Sequence, residues 1–302
     1  MTAADKYPVS LAPNEGWDER ILVCHCGNMV DNYIVVSDRY VVLVDTMISP
    51  QTAMVMLELA GQYAGNGRQL LVINTHADYD HCWGNQLFVG HKAAYPAPII
   101  AMRRCAERFY TPEAHEVLIR MQHEAPEVYG DVVLVPPTIL FDDHLTIEGG
   151  DLTLRLFATP GHQTDHISIV IPEISTLLAG DAAELPFPFA LSSMTLAQMR
   201  ASLAQLAAFN ATTVLYCHAP VTAGPELLQQ NIAYFNLLEQ HCRDAMDLGV
   251  PAQPTANDDV AALVGFSTAE AFGIDKGQTL PNSYVRGHNE QIRMMLAYLG
   301  RA

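Results

Sequence analysis

Basic residues are scarce in this 302-residue chain. Sixteen Lys and Arg stand against 33 Asp and Glu, a formal net charge of −17 with histidine neutral. A surface this acidic repels a phosphate backbone, so nucleic acid is not an expected partner. Charge of either sign is thin: 16% of residues carry it, against about 25% in ordinary domains. Half the residues are hydrophobic, which excludes disorder as the main state. Long apolar runs are missing, and none reaches the roughly 18–20 residues of a membrane helix. The start, MTAADKYPVS, has neither the basic opening nor the apolar segment of a secretory signal. The expectation is a cytoplasmic protein without a membrane partner. Cysteine spacing of the stapled kind is also absent. Cys24, Cys26, Cys82, Cys105, Cys217 and Cys242 are scattered, and a chain this long buries enough surface without staples, so they are expected to be reduced thiols. The Cys24–Cys26 pair has no second pair at matching spacing and is not read as a metal site.

What the chain does have is alternation of strand-like and helix-like segments. IVVSDRYVVLVDT holds two apolar runs around a polar Ser-Asp-Arg turn, the pattern of a hairpin. Ser49 and Pro50 read as N-cap and first position of a helix over about 51–64. LLVINT (70–75) is a short apolar run that suits a buried strand. Residues 91–135 carry helix starts at Thr111-Pro112 and Ala125-Pro126 and no clear strand, and are read as a helical insertion. Hairpins return in LTIEGGDLTLRLFATP and ISIVIPEISTLLAGD. A helix is expected over 195–209 with Leu196, Met199, Leu203 and Leu206 as its core stripe, then a strand at 214–218. Helices are expected at about 225–247, 257–272 and 286–299.

The chemistry gathers where strands stop. LLVINT runs into His76, Asp78, Asp80 and His81; LFATPG into His162; TLLAG into Asp181; VLYC into His218. Seven imidazole or carboxylate groups past the ends of four apolar strands can converge on one sheet edge. Such ligands suit zinc, iron and manganese.

These residues carry a resemblance. VVLVDT at 41–46, THADYDH at 75–81, TPGH at 159–162, GD at 180–181 and His218 resemble, in order, the motifs of the metallo-β-lactamase-fold superfamily of metallohydrolases. The likeness spans about residues 20–220. It implies an α/β, four-layer αββα sandwich with a dinuclear metal site on one edge of two sheets. Position by position, it assigns His76, Asp78 and His162 to one metal and Asp80, His81 and His218 to the other. Asp181 would bridge both, and Asp45 would stand behind the ligands or merely cap a turn. Asp80 and Asp181 are the residues expected to take direct part in the reaction. Residues 1–247 would form the catalytic domain, with 91–135 as its insertion or lid, and 248–302 a helical extension packed on the same domain. Asp78 departs from the family's usual H-x-H-x-D-H. Two divalent ions, three carboxylates and a bridging hydroxide sum to zero, where histidine would leave one positive charge, so a weaker Lewis acid and a taste for harder ions are expected.

The resemblance implies a hydrolase in which a hydroxide held by two divalent metal ions attacks a small ester, lactone, thioester or amide. Zinc is the first expectation, iron or manganese the second. The alternative is a di-iron or mononuclear iron oxidoreductase related to the flavodiiron branch, whose fused flavodoxin-like domain has no counterpart after His218. A non-catalytic metal-stabilised module is disfavoured because every ligand position holds a competent group. His166 is expected to support the ligands, and His288 and Asn289 to cap the last helix. Tyr79 and Trp83 should pack beside the motif loop, and Cys82 and Cys217 should point away from it. Leu185–Leu191, broken by two prolines, is expected to wall a small-molecule pocket with Phe109, Tyr110, Tyr129, Phe187 and Phe189, or else to seal a homodimer.

Overall fold

The computed structural model describes residues 2–91, 93–273 and 282–301. The fold is mixed α/β with two sheets. The first sheet has seven strands in chain order: β1 Val9–Leu11, β2 Ile21–Cys26, β3 Val30–Val36, β4 Tyr40–Val44, β5 Gln69–Ile73, β6 Ile99–Met102 and β7 Ile139–Phe141. The second has five: β8 His144–Glu148, β9 Thr153–Ala158, β10 Ile167–Ile171, β11 Thr176–Gly180 and β12 Thr213–Tyr216.

The expected hairpins form. β3 pairs antiparallel with β4, β8 with β9, and β10 with β11. From β4 onward the first sheet turns parallel, through β5, β6 and β7. Parallel neighbours need a crossover, and helix Pro50–Gly61 supplies the one from β4 to β5. Its start is as the residues foretell: Pro50 opens it, and Ser49 and Thr52 cap each other reciprocally. Parallel pairing brings the C-terminal ends of β4 and β5 to one edge, where Asp45 and the His76 loop begin. In the second sheet β11 and β12 are also parallel, with a register shift between Leu178 and Gly180 that leaves Ala179 as an extra residue. Their ends deliver Asp181 and His218.

Two expectations need correction. Residues 91–135 are not purely helical, since β6 lies inside them. Its four residues are all buried, and a strand covered on both faces shows no alternation to read. Helices Arg103–Arg108, Pro112–Glu124 and Pro126–Tyr129 follow it, with Thr111 as the N-cap foreseen. The helix expected at 257–272 is two short ones, Val260–Val264 and Thr268–Ala271. Gly265 ends the first in the left-handed region at φ 65°, and Ser267 caps the second.

Chain contacts divide the structure into two units. The first comprises residues up to Ala158, Asp165–Asp181 and Ala211–Gly224; the second, Thr159–Thr164, Ala182–Asn210 and the chain from Pro225. Both sheets belong to the first. The second is helical, with Ser193–Ala208, Glu226–Asp247 and Asn282–Leu299 as its main members. The stripe Leu196, Met199, Leu203 and Leu206 is buried as expected. Among the described residues no helix is long and apolar enough to cross a membrane. All six cysteines are buried free thiols; burial pushes the thiols of Cys24 and Cys26 up to about 12.

Candidate metal centre

Asp45 follows β4 directly and sits in the left-handed region at φ 68°. A non-glycine residue held there signals a constraint, and its side chain shows which one. Oδ1 accepts the Thr75 N–H at 2.7 Å. Oδ2 accepts the Thr75 hydroxyl at 2.7 Å and faces His81 Nδ1 at 2.8 Å. All three residues are buried. Asp45 Oδ2 therefore accepts the Nδ1–H of His81, which orients the ring and directs Nε2 inward. Asp45 thus stands behind His81, one of the residues that the family pattern assigned to a metal.

Nε2 of His81 is buried and approaches Asp181 Oδ2 to 3.1 Å without hydrogen-bond geometry. The same carboxylate oxygen lies 3.6 Å from His76 Nε2 and 3.3 Å from His218 Nε2. Three imidazole nitrogens, from the loops after two strands, thus surround one oxygen, in the central place expected for Asp181. Asp80 flanks it, with Oδ2 3.3 Å from His218 Nε2 and Oδ1 3.8 Å from His81 Nε2. Asp78 Oδ2 lies 3.5 Å from His76 Nε2. The potential ligand atoms of His76, His81 and Asp181, and those of Asp80, His81 and His218, lie within 4.8 Å of one another. His76 and His81 are fully buried, whereas the side chains of Asp78 and His218 are 21% and 26% exposed. The cluster therefore opens to solvent on their side.

Burial opposes charge on His81, His218, Asp80 and Asp181, yet these four charge one another. Burial resists protonation of His81 and His218, but Asp181 and Asp80 raise both well above the usual histidine value. Burial likewise resists ionisation of Asp181 and Asp80, but the two imidazoles hold both carboxyls below the usual range. The cluster calls for positive charge between nitrogen and oxygen, which a proton or a metal cation can supply. Carboxylates and imidazoles whose ring nitrogens aim at one oxygen fit a metal ion.

The supports are partly those foreseen. His166 Nε2 accepts the Asp181 N–H at 3.0 Å, and both are buried. Gly180 must be glycine here: φ is +60°, and a Cβ would come 2.6 Å from His166 Nε2. Tyr79 and Trp83 pack edge to face beside the loop, with ring centres 5.7 Å apart. Cys82 donates to the Asp78 carbonyl and Cys217 lies against Asp45 and His81, contrary to expectation. Cys217 precedes His218 just past a strand end, and turns into the layer behind His81. Its thiol, raised to about 12 by burial, is inert.

His162 belongs to the second unit. Its Nδ1 lies 3.3 Å from Glu184 Oε1. Asn231 pins that segment, accepting the Glu184 N–H and donating to the carbonyls of Glu184 and Pro186. Glu184 was not singled out in the sequence; a carboxylate three residues past Asp181 was the available signal.

Arg108 was missed entirely. Its Nη2 donates to Asp78 Oδ1 at 2.6 Å and its Nη1 to Asp165 Oδ1 at 2.8 Å. Asp165 Oδ2 accepts the Ala77 N–H at 2.9 Å. This guanidinium lies 30 residues from Asp78 in the chain, at the end of a helix that follows the unforeseen strand β6.

The apolar residues assigned to a pocket behave otherwise. Phe187 is fully buried and stacks on Tyr234 at 3.8 Å. Phe109 and Tyr129 are core residues, and Tyr110 is exposed. Two prolines exclude regular structure at 185–191 but not burial, and Phe187 is core. His288 is no helix cap either. It is buried within its helix, bonded to the Tyr234 hydroxyl and the Phe266 carbonyl.

Among solved structures, the chain is similar to a metallo-β-lactamase family protein of Thermus thermophilus, at 20% identity and a TM-score of 0.59, covering 97% of this chain and 94% of that one. It is also similar to the stereoselective inverting sec-alkylsulfatase Pisa1 of Pseudomonas sp., at 15% identity and a TM-score of 0.61, covering 97% of this chain and 50% of that one. In sequence it is 28% identical over 205 residues to a hydroxyacylglutathione hydrolase of Rhodospirillum rubrum, covering 66% of this chain and 67% of the relative. Residues 27–218 match the family model of the metallo-beta-lactamase superfamily. With its αββα-type fold and its strand-end cluster, the chain belongs to that superfamily.

Proposed function

We propose that this protein is a metal-dependent hydrolase of a small acyl substrate, an ester, lactone, thioester or amide. The observation that carries the reading is Asp181 Oδ2 amid the Nε2 atoms of His76, His81 and His218. Two divalent cations are proposed, zinc first and iron or manganese second. Asp80, His81 and His218 would hold one. His76 and Asp78 would hold the other, joined by His162 through its place in the family pattern, and Asp181 would lie between. Cations bound there would supply Lewis acidity, to activate water and polarise the acyl carbonyl.

The chain's own groups do the rest. Asp45 holds His81 in one tautomer. His166 and Gly180 set the backbone of Asp181. Asp80 and Asp181 are the carboxylates placed to orient water and substrate beside the cations. The Rhodospirillum rubrum relative is named for a glutathione thioester, which makes thioesters the first class to assay. Reading Asp78 as a mark of an iron oxidoreductase is the second possibility.

The test is elemental analysis of protein made without added metal, then hydrolysis of thioester and ester panels before and after chelation. Two equivalents of metal and zinc-restorable thioester cleavage are expected. A metal-free protein that keeps its fold and cleaves nothing would refute the reading; two irons with no hydrolysis would favour the oxidoreductase.

A further inference from the structure

Asp78 is the one departure from the commoner ligand pattern, and Arg108 meets it. The guanidinium spans two carboxylates that belong to different strands' ends, Asp78 after β5 and Asp165 before β10. Each Nη takes one of them, at 2.6 and 2.8 Å. The side chain of Asp165 is fully buried, and its second oxygen holds the Ala77 N–H inside the motif loop. A buried carboxylate with two such contacts is a fixed anchor, so Arg108 is itself oriented. The fold explains the delivery. β6 lies parallel to β5 and ends beside the motif loop. The short helix Arg103–Arg108 begins at once, with Cys105, Ala106 and Phe109 buried to hold it.

We infer that Arg108 is a positioning residue that makes Asp78 a one-donor counterpart of the usual histidine at the metal centre. Arg108 engages Oδ1, which leaves Oδ2 directed at His76, 3.5 Å from its Nε2. A carboxylate gripped this way offers one oxygen in a fixed direction, as an imidazole offers one nitrogen. Arg108 is shared between two carboxylates, so it offsets the charge of Asp78 only in part, and the fixed direction of Oδ2 is its main contribution. The inference rests on the proposed dinuclear reading.

A double-mutant cycle on the full chain tests it. Asp78→His, Arg108→Met and the double variant are compared for zinc affinity, by competition with a chromophoric chelator, and for bound zinc after dialysis. Asp78→His leaves a guanidinium held only by Asp165 next to cations; Arg108→Met leaves a loose, uncompensated carboxylate. Each single change is expected to weaken zinc binding about 10- to 100-fold. The double variant, charge restored, is expected to bind within about threefold of the parent. Arg108→Lys keeps the charge but not the fork, and should fall between. Because Arg108→Met strands buried Asp165, the cycle is repeated with Asp165→Asn, with circular dichroism of the metal-free variants to report folding. The same non-additivity is expected in both backgrounds. Losses that multiply in the double variant would overturn the role of Arg108 alone. A parent chain that takes up no zinc would overturn both this inference and the hydrolase reading.

Discussion

The two ends of the motif loop are held by opposite means. At His81 a buried carboxylate, Asp45, stands behind an imidazole and accepts its outer N–H. At Asp78 a guanidinium stands behind a carboxylate and takes its outer oxygen. In each case the outer partner has the charge that the inner group can use: negative behind an imidazole, positive behind a carboxylate. The backing also fixes which atom faces inward. The difference lies in exposure. The Asp45–His81 pair is sealed, whereas the Asp78 and Arg108 side chains are 21% and 29% exposed. One end is therefore set by burial, and the other is stabilised by a charged bond that solvent reaches.

Removing what the two ends share should have the largest effect. Asp181→Ala takes away the oxygen near all three imidazoles, and is expected to lower hydrolysis by at least about a hundredfold and to reduce bound metal, read by kinetics and elemental analysis. Phe187→Ala should leave both ends intact. It opens a cavity against Tyr234, so an expected loss of about 3–5 kcal/mol in unfolding free energy should come with unchanged metal per folded chain. A variant that keeps its stability but changes its KM would return Phe187 to the substrate pocket.

Breaking only the sealed end is milder. Asp45→Asn keeps the shape but loses the charge that holds the His81 proton, and about a tenfold fall in zinc affinity is expected from chelator competition. Activity should suffer less than in Asp181→Ala.

Acidity separates the two ends most gently. In metal-free protein His81 and His218 are raised above 6.5, so their contribution to stability is complete below that pH and fades as pH climbs through their folded values. Asp181 and Asp80 are lowered below 3.8, so theirs is present above that pH and is lost in stronger acid. Thermal midpoints of the metal-free chain should thus decline on both flanks. Zinc displaces the imidazole protons, so its affinity should rise with pH. Arg108 does not titrate in this range, so Arg108→Lys should leave that pH profile in place. A profile that moves with Arg108→Lys would mean the two ends are not independent.

Much of this centre was legible before folding. Imidazoles and carboxylates at the ends of apolar runs mark themselves, because short buried strands are recognisable and the residue that ends one lies at the sheet edge. The hairpins, the Ser49 cap and the Leu196–Leu206 stripe were legible for the same reason: each is a local pattern. Arg108 was not. It reaches Asp78 only because β6 takes its place beside β5, and four apolar residues after Pro98 give no period to detect. Phe187 and His288 failed similarly. The prolines suggested a pocket wall and the polar ring a helix cap, but an aromatic stack and two buried hydrogen bonds supply what those groups need inside. Partners distant in the chain set their environment.

The extra residue Ala179 has a consequence for how tolerant this centre is to change. Side chains on a strand alternate sides with a period of two, so the count of residues before Asp181 decides which way it faces. β11 and β12 fall out of step between Leu178 and Gly180, and Asp181 follows at once. Deleting Ala179 would keep every motif residue and their order, yet would turn the GD step over relative to β12. The centre is therefore written in spacing as much as in residue type. A homologue one residue shorter here could carry the full signature and still lack a place for the cation.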